Sequence, residues 1–127
     1  MSARMTLRVL LADDQANVRS ALRFLLEHEP NIEVVGEAAD ATGLLLAAAH
    51  QPADVLLLDW ELPGLPPHHL LRLLRYERPS LQIVASSSRP EACQDALQAG
   101  AAAFLSKGAP PDAVLATLQQ ISRSPNA

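Results

Sequence analysis

Charged side chains follow three of the short apolar runs in this sequence. Asp13 and Asp14 come directly after the first run, Asp59 ends the run at 55–58, and Lys107 comes shortly after the last run. Carboxylates that lie close together repel one another unless protons or a cation intervene. A hard divalent cation such as Mg²⁺ is held by one or two carboxylates and water. If the fold brings these aspartates together, the sequence predicts a magnesium site.

A phosphoryl group is the chemistry to which this set of side chains is suited. With a cation in place, one carboxylate can act as a nucleophile towards phosphorus. Lys107 and a hydroxyl from the serine run at 86–88 would then neutralise the transferred oxygens. Plain structural interpretations also exist, since Asp13 and Asp14 can cap a helix, Lys107 can be a solvated surface residue and the serines can form a loop. The combination of all four at the ends of apolar runs favours chemistry.

Five apolar strands alternating with five helices would position these residues. The predicted strands cover 7–12, 32–35, 55–58, 81–85 and 101–105, and the helices begin near Gln15, Asp40, Pro66, Pro90 and Pro110. Such alternation predicts an α/β fold, a doubly wound parallel sheet with right-handed crossovers and helices on both faces. In the sheet order 2-1-3-4-5, strands one and three are neighbours, so Asp13, Asp14 and Asp59 meet at one edge.

The composition is that of one folded domain. The chain has 127 residues, of which 49% are hydrophobic, and a net charge of −4, so it can bury a single core. It lacks the basic stripe of a nucleic-acid surface and any apolar run near the roughly 18 residues of a membrane span. The single cysteine, Cys93, fits a reducing compartment. We therefore expect a cytoplasmic protein with no direct contact with nucleic acid or membrane.

Three segments of the sequence resemble a known family. They are Val9-Leu10-Leu11-Ala12-Asp13-Asp14, Val55-Leu56-Leu57-Leu58-Asp59 followed by Leu62-Pro63-Gly64, and Gly100-Ala101-Ala102-Ala103-Phe104-Leu105-Ser106-Lys107. Together they resemble the response regulator receiver domain of bacterial two-component systems over nearly the whole chain, from about residue 8 to 121. The stretch at 34–38 further resembles receivers of LuxR-type, nitrate-response-like transcription regulators. The resemblance implies a flavodoxin-like (βα)5 three-layer sandwich.

The resemblance also implies how the phosphoryl group is handled. Asp59 would accept it from a sensor histidine kinase. Ser87 would be the hydroxyl that moves towards the phosphoryl group, with Ser86 as the alternative, and Lys107 would be the charge partner. Phe104 matches the aromatic position that changes conformation in the family.

A magnesium ion is implied by the same resemblance. Asp14 and Asp59 would ligate Mg²⁺ through their side chains, Glu61 through its backbone carbonyl, and Asp13 through water. The receiver would occupy residues 1–122, and 123–127 would be a tail or the start of a linker.

The implied function is a phosphorylation switch that controls an output, which is transcription in the LuxR-type regulators. A C-terminal DNA-binding output domain, not present in this chain, and association into homodimers are further implications. The domain would not be an enzyme in the usual sense, because it catalyses only its own phosphorylation and dephosphorylation.

Departures from the family pattern leave an alternative open. The stretch between the serine run and Gly100 is about two residues shorter than usual, and Pro66-Pro67 replace a polar-glycine pair. The fourth helix is therefore expected to be short or unusually placed, and a docking module that works without phosphorylation is the alternative. An aspartyl-phosphate hydrolase would need a general acid and a cap, for which 127 residues leave no room. In a flavin-binding module, Asp13 and Asp14 would repel the phosphate.

Overall fold

One parallel sheet with helices on both faces forms the fold in the computed structural model, which describes residues 6–123. The strands are β1 (Leu7–Ala12), β2 (Ile32–Ala38), β3 (Val55–Asp59), β4 (Gln82–Ser87) and β5 (Ala103–Ser106). The helices are α1 (Ala16–Glu27), α2 (Ala41–His50), α3 (Pro67–Glu77), α4 (Ala92–Ala99) and α5 (Pro111–Arg123). The strand order is β2-β1-β3-β4-β5. The predicted flavodoxin-like (βα)5 sandwich with order 2-1-3-4-5 is therefore confirmed.

The sheet separates two apolar cores. The core on one face contains buried residues of α2, α3 and α4, and the core on the other contains residues of α1 and α5. Alternate residues of β1 divide between them, with Leu10 in the first core and Val9 and Leu11 in the second. Every residue of β3 is buried, as its continuous apolar run predicts for a central parallel strand.

The register of the sheet aligns the ends of its central strands. Ala12 of β1 pairs with Leu58 of β3, so Asp13 and Asp59, which follow them, lie side by side. The pairing continues in parallel from β3 to β4 and from β4 to β5, which places Lys107 at the same edge. This carboxyl edge is where open α/β sheets bind their ligands.

The loop that follows β3 is tied to the start of α2. Gly64 has a φ of 116°, a left-handed conformation that glycine adopts without steric cost. A Cβ atom at this position would lie 2.9 Å from the Cβ of Ala41. The backbone N–H of Ala41 donates to the carbonyl of Pro63 at 2.9 Å. The segment after Asp59 is thereby held against the start of α2.

Some helical faces and boundaries differ from the prediction. The apolar spacing in α3 and α4 predicts that Leu73 and Leu97 are buried, but they are 37% and 45% exposed. The buried residues of α3 are Leu70, Leu71 and Leu74. Helix α4 has eight residues and begins at Ala92, and it is short, as expected. Gly100 ends α4 in a left-handed conformation, and strand β5 begins at Ala103 rather than at residue 101.

Helix α5 is the last element among the described residues. Helix α5 ends at Arg123, and the rest of the predicted tail, residues 124–127, lies outside the described residues. Between residues 6 and 123 there is no helix of the length and apolar character needed to cross a membrane.

Candidate functional site

Three carboxylates meet at the carboxyl edge of the sheet, as the sequence predicted. Asp13, Asp14 and Asp59 each offer one oxygen, and these oxygens lie within 4.8 Å of one another. Asp13 and Asp59 are each only 4% exposed, whereas Asp14 is exposed. Two buried acids and one accessible acid thus face the same point.

The charge of the two buried acids is partly balanced by Lys107, the only lysine in the sequence. Its Nζ donates to Oδ2 of Asp13 and lies 3.5 Å from Oδ1 of Asp59. Burial lowers the pKa of Lys107, but the hydrogen bond to Asp13 and the charge of Asp59 raise it by more, so that the net direction is upward. The ammonium group is therefore protonated at neutral pH and holds the two carboxylates together.

Asp59 keeps one oxygen available for chemistry. Its Oδ1 accepts a hydrogen bond from the backbone N–H of Glu61 at 3.0 Å and faces Lys107. In the described part of the chain, Oδ2 of Asp59 has no hydrogen-bond donor. Burial raises the pKa of Asp59, the Glu61 amide and Lys107 lower it by less, and the charge of Asp13 adds to the increase.

The side chain of Glu61 forms a polar cluster that the sequence did not predict. Ser87, which is 1% exposed, donates its hydroxyl to the two Glu61 carboxylate oxygens at 3.0 and 2.9 Å. Nη2 of Arg89 lies 2.9 Å from Oε2 of Glu61, and the backbone N–H of Arg89 donates to Ser87 Oγ at 3.0 Å. We call Glu61, Ser87 and Arg89 the serine clamp, because it holds the hydroxyl on a carboxylate.

A signal for the serine clamp was present in the sequence. Glu61 stands two residues after Asp59, and Arg89 stands two residues after Ser87, with opposite charge. Because β3 and β4 are neighbours in register, such positions lie next to each other beyond the strand ends. The resemblance gave Glu61 only a backbone role and gave Arg89 none.

The two serines that remained as alternatives have different surroundings. Ser86 donates to the carbonyl of Leu58 at 3.4 Å, a contact within the sheet. Ser87 lies beyond it, on the carboxylate of Glu61. Phe104, at the predicted aromatic position, is partly buried against the core that contains α2, α3 and α4.

The donor set fits a hard cation. Carboxylate oxygens are the ligands that Mg²⁺ prefers, and a site with one or two carboxylates leaves room for water. The carboxylate of Asp14 makes no hydrogen bond to any described residue, so it is free to ligate. Asp59 lies beside Asp14 in the same cluster, while both oxygens of Asp13 are occupied, one by Lys107 and one by the N–H of Gln15 at 2.9 Å. Asp13 is thus suited to contact through water.

Asp59→Asn is expected to raise the free energy of unfolding of the metal-free protein at pH 7, by about 1 kcal/mol. The raised pKa of Asp59 means that the folded state binds a proton at this carboxylate more tightly than the unfolded state does. Proton binding at Asp59 therefore stabilises the folded state fully below the usual carboxyl pKa, near 3.9. This stabilisation is lost as pH rises through the raised pKa of the folded state. The gain in the variant should therefore vanish in acid.

Urea unfolding in EDTA at several pH values measures this difference, and Asp54→Asn is the matched control. At Asp54, burial raises the pKa, but the hydrogen bonds and charge of Arg8 lower it by more. That variant should be less stable than the wild type at pH 7. A stability gain in Asp59→Asn that persists unchanged in acid would contradict the assigned cause.

Comparison with known proteins identifies the family. The family model described as "Response regulator receiver domain" matches residues 9–119 of this chain. The chain belongs to this family. As a receiver domain it has a signalling role, and phosphorylation on an aspartate is standard for such domains.

Curated relatives of this receiver domain have different outputs. It is 40% identical over 106 residues to protein-glutamate methylesterase/protein-glutamine glutaminase 2 of Hahella chejuensis, with 81% of this chain and 29% of that protein covered. It is 32% identical over 117 residues to the response regulator UvrY of Escherichia coli, with 91% and 54% covered. The chain thus spans under a third of the first protein and about half of the second.

Solved structures agree with the fold and the subfamily. RcsB from Salmonella enterica serovar Typhimurium, bound to promoter rprA with the phosphomimetic BeF3-, has a TM-score of 0.85 and 25% identity, with 93% of this chain and 100% of that chain covered. The receiver domain of the response regulator NarL from Mycobacterium tuberculosis has a TM-score of 0.80 and 30% identity, with 94% and 99% covered. The predicted resemblance to LuxR-type receivers is confirmed by these neighbours.

Proposed function

We propose that this receiver domain accepts a phosphoryl group on Asp59 from a sensor histidine kinase, and that it uses Mg²⁺ to do so. The observation that carries the proposal is the Asp59 carboxylate, which lies beside Asp13, Asp14 and Lys107 at one sheet edge and whose Oδ2 accepts no hydrogen bond from a described residue. The Glu61 amide fixes the carboxylate through its other oxygen. The attacking atom is therefore both oriented and free.

The residues of the site divide the work of the transfer. Asp14 and Asp59 would hold Mg²⁺ by their side chains, Glu61 by its backbone carbonyl and Asp13 through water. When bound, the cation neutralises negative charge on the phosphoryl oxygens. Oδ2 of Asp59 would attack phosphorus as the P–N bond to the phosphorylated histidine of the kinase breaks and the imidazole nitrogen leaves with the bonding electrons. Lys107 would pair with the charge that the transfer brings.

The conformational response would begin at Ser87. A phosphoryl group carries nearly two negative charges and three acceptor oxygens, so it competes with Glu61 for the Ser87 hydroxyl. Once Ser87 turns towards Asp59, the serine clamp opens, and the space behind β4 can take the ring of Phe104. The surface of α4, β5 and α5 changes as a result, which alters association with a partner or a second copy.

We propose transcription as the output and the cytoplasm as the location. The support for transcription is the high structural similarity to RcsB, described as promoter-bound, and the larger share of UvrY that the chain covers. A methylesterase output is the second candidate, favoured by the 40% identity to the Hahella protein. In both cases the receiver acts as a switch and the output chemistry belongs to another domain.

Intact-mass measurement after incubation with a small acyl phosphate tests the proposal, with and without Mg²⁺. We expect one phosphoryl adduct on the wild type in Mg²⁺, little in EDTA and none on Asp59→Asn. Asp54→Asn, which changes a partly exposed acid just before β3, is the control and should be modified normally. An adduct that survives Asp59→Asn would overturn the assignment, and no adduct on any variant would favour the phosphorylation-independent docking module.

A further inference from the structure

We propose that Arg19 is a positioning residue for the metal site, acting through the backbone of Asp13 to set the direction of the Asp14 carboxylate. The inference rests on the proposed function, since it takes Asp14 as a ligand of Mg²⁺. Nη1 of Arg19 donates to the carbonyl oxygen of Asp13 at 2.7 Å. No other described donor reaches that oxygen from a side chain.

The remaining polar atoms of Asp13 are also held. Its N–H donates to the carbonyl of Ala38 at 3.0 Å, and its carboxylate accepts from Lys107 and from the N–H of Gln15. Asp14, the next residue, makes no hydrogen bond through its carboxylate to any described residue. Asp13 is thus the fixed member of the pair, and Asp14 is the free one.

Fixing the Asp13 carbonyl fixes the plane that leads into Asp14. The peptide unit is planar, so the carbonyl oxygen of Asp13 and the nitrogen and Cα of Asp14 lie in one plane. A strong, charge-assisted hydrogen bond to that oxygen limits rotation of the plane. The direction of the Asp14 side chain towards Asp59 then depends on Arg19.

Arg19 is itself held by β2. Its Nε donates to Oε1 of Glu37 at 2.9 Å, and the two side chains are only 19% and 29% exposed. The register between β1 and β2 shifts at Val9 and Leu10, where an irregularity places Glu37 opposite Leu11. A one-residue change of register reverses the face of a strand residue, so this irregularity is what presents Glu37 to α1.

The geometry calls for arginine rather than for any cation. One guanidinium edge bonds Glu37 and another bonds the Asp13 carbonyl, which a planar fork can do at once. A lysine ammonium is a point charge on a flexible stem and cannot reproduce both contacts with fixed geometry. Replacing Arg19 by lysine therefore keeps the charge but loses the two fixed contacts, which separates the effect of the charge from the effect of positioning.

Arg23 provides the matched control. It lies one turn further along α1 and donates to the other oxygen of Glu37, but no contact joins it to Asp13. Arg19→Gln and Arg23→Gln remove the same charge from the same helix and from the same carboxylate partner. Only the first releases the Asp13 carbonyl.

The two possible roles of Arg19, as a nearby positive charge and as a positioning residue, predict opposite changes in the affinity for Mg²⁺ when it is replaced. Removing a positive charge near the site should leave Mg²⁺ binding unchanged or make it tighter. Loss of an outer residue that orients a ligand weakens metal binding, by tenfold or more in typical sites. We expect the dissociation constant for Mg²⁺ to rise about tenfold in Arg19→Gln and not to rise in Arg23→Gln.

The experiment is a Mg²⁺ titration of the full chain, followed by fluorescence of Trp60, the only tryptophan and the residue next to Asp59. Arg19→Lys, which keeps the charge, should also bind Mg²⁺ more weakly than the wild type. It replaces Arg19→Gln as the test variant if the glutamine variant fails to fold. In an Asp14→Ala background, Arg19→Gln should have little further effect, because coupled residues are not additive. Melting in EDTA reports any general loss of stability.

The outcomes separate this inference from the function it rests on. If the wild type binds Mg²⁺ and Arg19→Gln binds it as tightly as Arg23→Gln, the positioning role is overturned while the metal site stands. If Arg19→Gln weakens Mg²⁺ binding by the same factor in the Asp14→Ala background as in the wild type, the positioning role is also overturned. If the wild type does not bind Mg²⁺ at all, the metal site of the proposed function fails.

Discussion

Lys107→Met is expected to lower the free energy of unfolding of the metal-free protein by about 2–3 kcal/mol. Removing one partner of a buried ion pair costs roughly 3–5 kcal/mol, because the other charge stays buried and unpaired. The lysine side chain is 23% exposed, which reduces the cost. Methionine keeps most of the apolar stem, so the loss reports the charge that holds Asp13 and Asp59 together.

Magnesium should reverse much of this loss. The cation would replace the missing positive charge, so Lys107→Met should bind Mg²⁺ more tightly than the wild type, and binding to the folded state adds stability. Urea unfolding with and without Mg²⁺ measures both effects. Arg8→Met is the control, since it removes a cation from Asp54 in a partly exposed pair, and exposed ion pairs contribute little to stability. An equal loss in both variants would contradict the role given to Lys107.

Glu61→Ala is expected to strengthen binding of beryllofluoride, a phosphoryl mimic, by about tenfold. The Ser87 hydroxyl must leave the Glu61 carboxylate before it can donate to the mimic, and hydrogen bonds to charged groups contribute about 1.5–3 kcal/mol. Opening the serine clamp in advance removes that cost. The loss of a carboxylate two residues from Asp59 also reduces repulsion of the anion.

Glu91→Ala is the matched control for this prediction. Glu91 also pairs with Arg89, at 3.6 Å, but no hydrogen bond links it to Ser87. Titration of beryllofluoride in Mg²⁺, followed by Trp60 fluorescence, gives the affinities. Equal affinities for Glu61→Ala and Glu91→Ala would show that the serine clamp does not oppose activation.

The acidic cluster was predictable from the sequence because backbone topology alone brings it together. The alternation of strands and helices predicts a parallel sheet, and in the order 2-1-3-4-5 the residues that follow the neighbouring strands one and three must meet at one edge. Asp13, Asp14 and Asp59 needed no knowledge of side-chain direction. Lys107 joined them for the same reason.

The serine clamp and the contact of Arg19 with Asp13 were not predicted because they depend on side-chain direction. Glu37 faces α1 only because the register between β1 and β2 is irregular, and the apolar pattern of β2 does not reveal such a shift. Arg89 reaches Glu61 from the short connection that leads into α4. The sequence positions of charged side chains in such loops do not determine which residues they contact.

Trapping the acyl phosphate chemically identifies the residue that carries it. After incubation with a small acyl phosphate and Mg²⁺, borohydride reduces an aspartyl phosphate to homoserine, and peptide sequencing by mass spectrometry locates the change. We predict homoserine at position 59 alone, with the signal lost in EDTA. Homoserine at Asp13, Asp14 or any other position, or none in a protein that binds Mg²⁺, would contradict Asp59 as the phosphoryl acceptor.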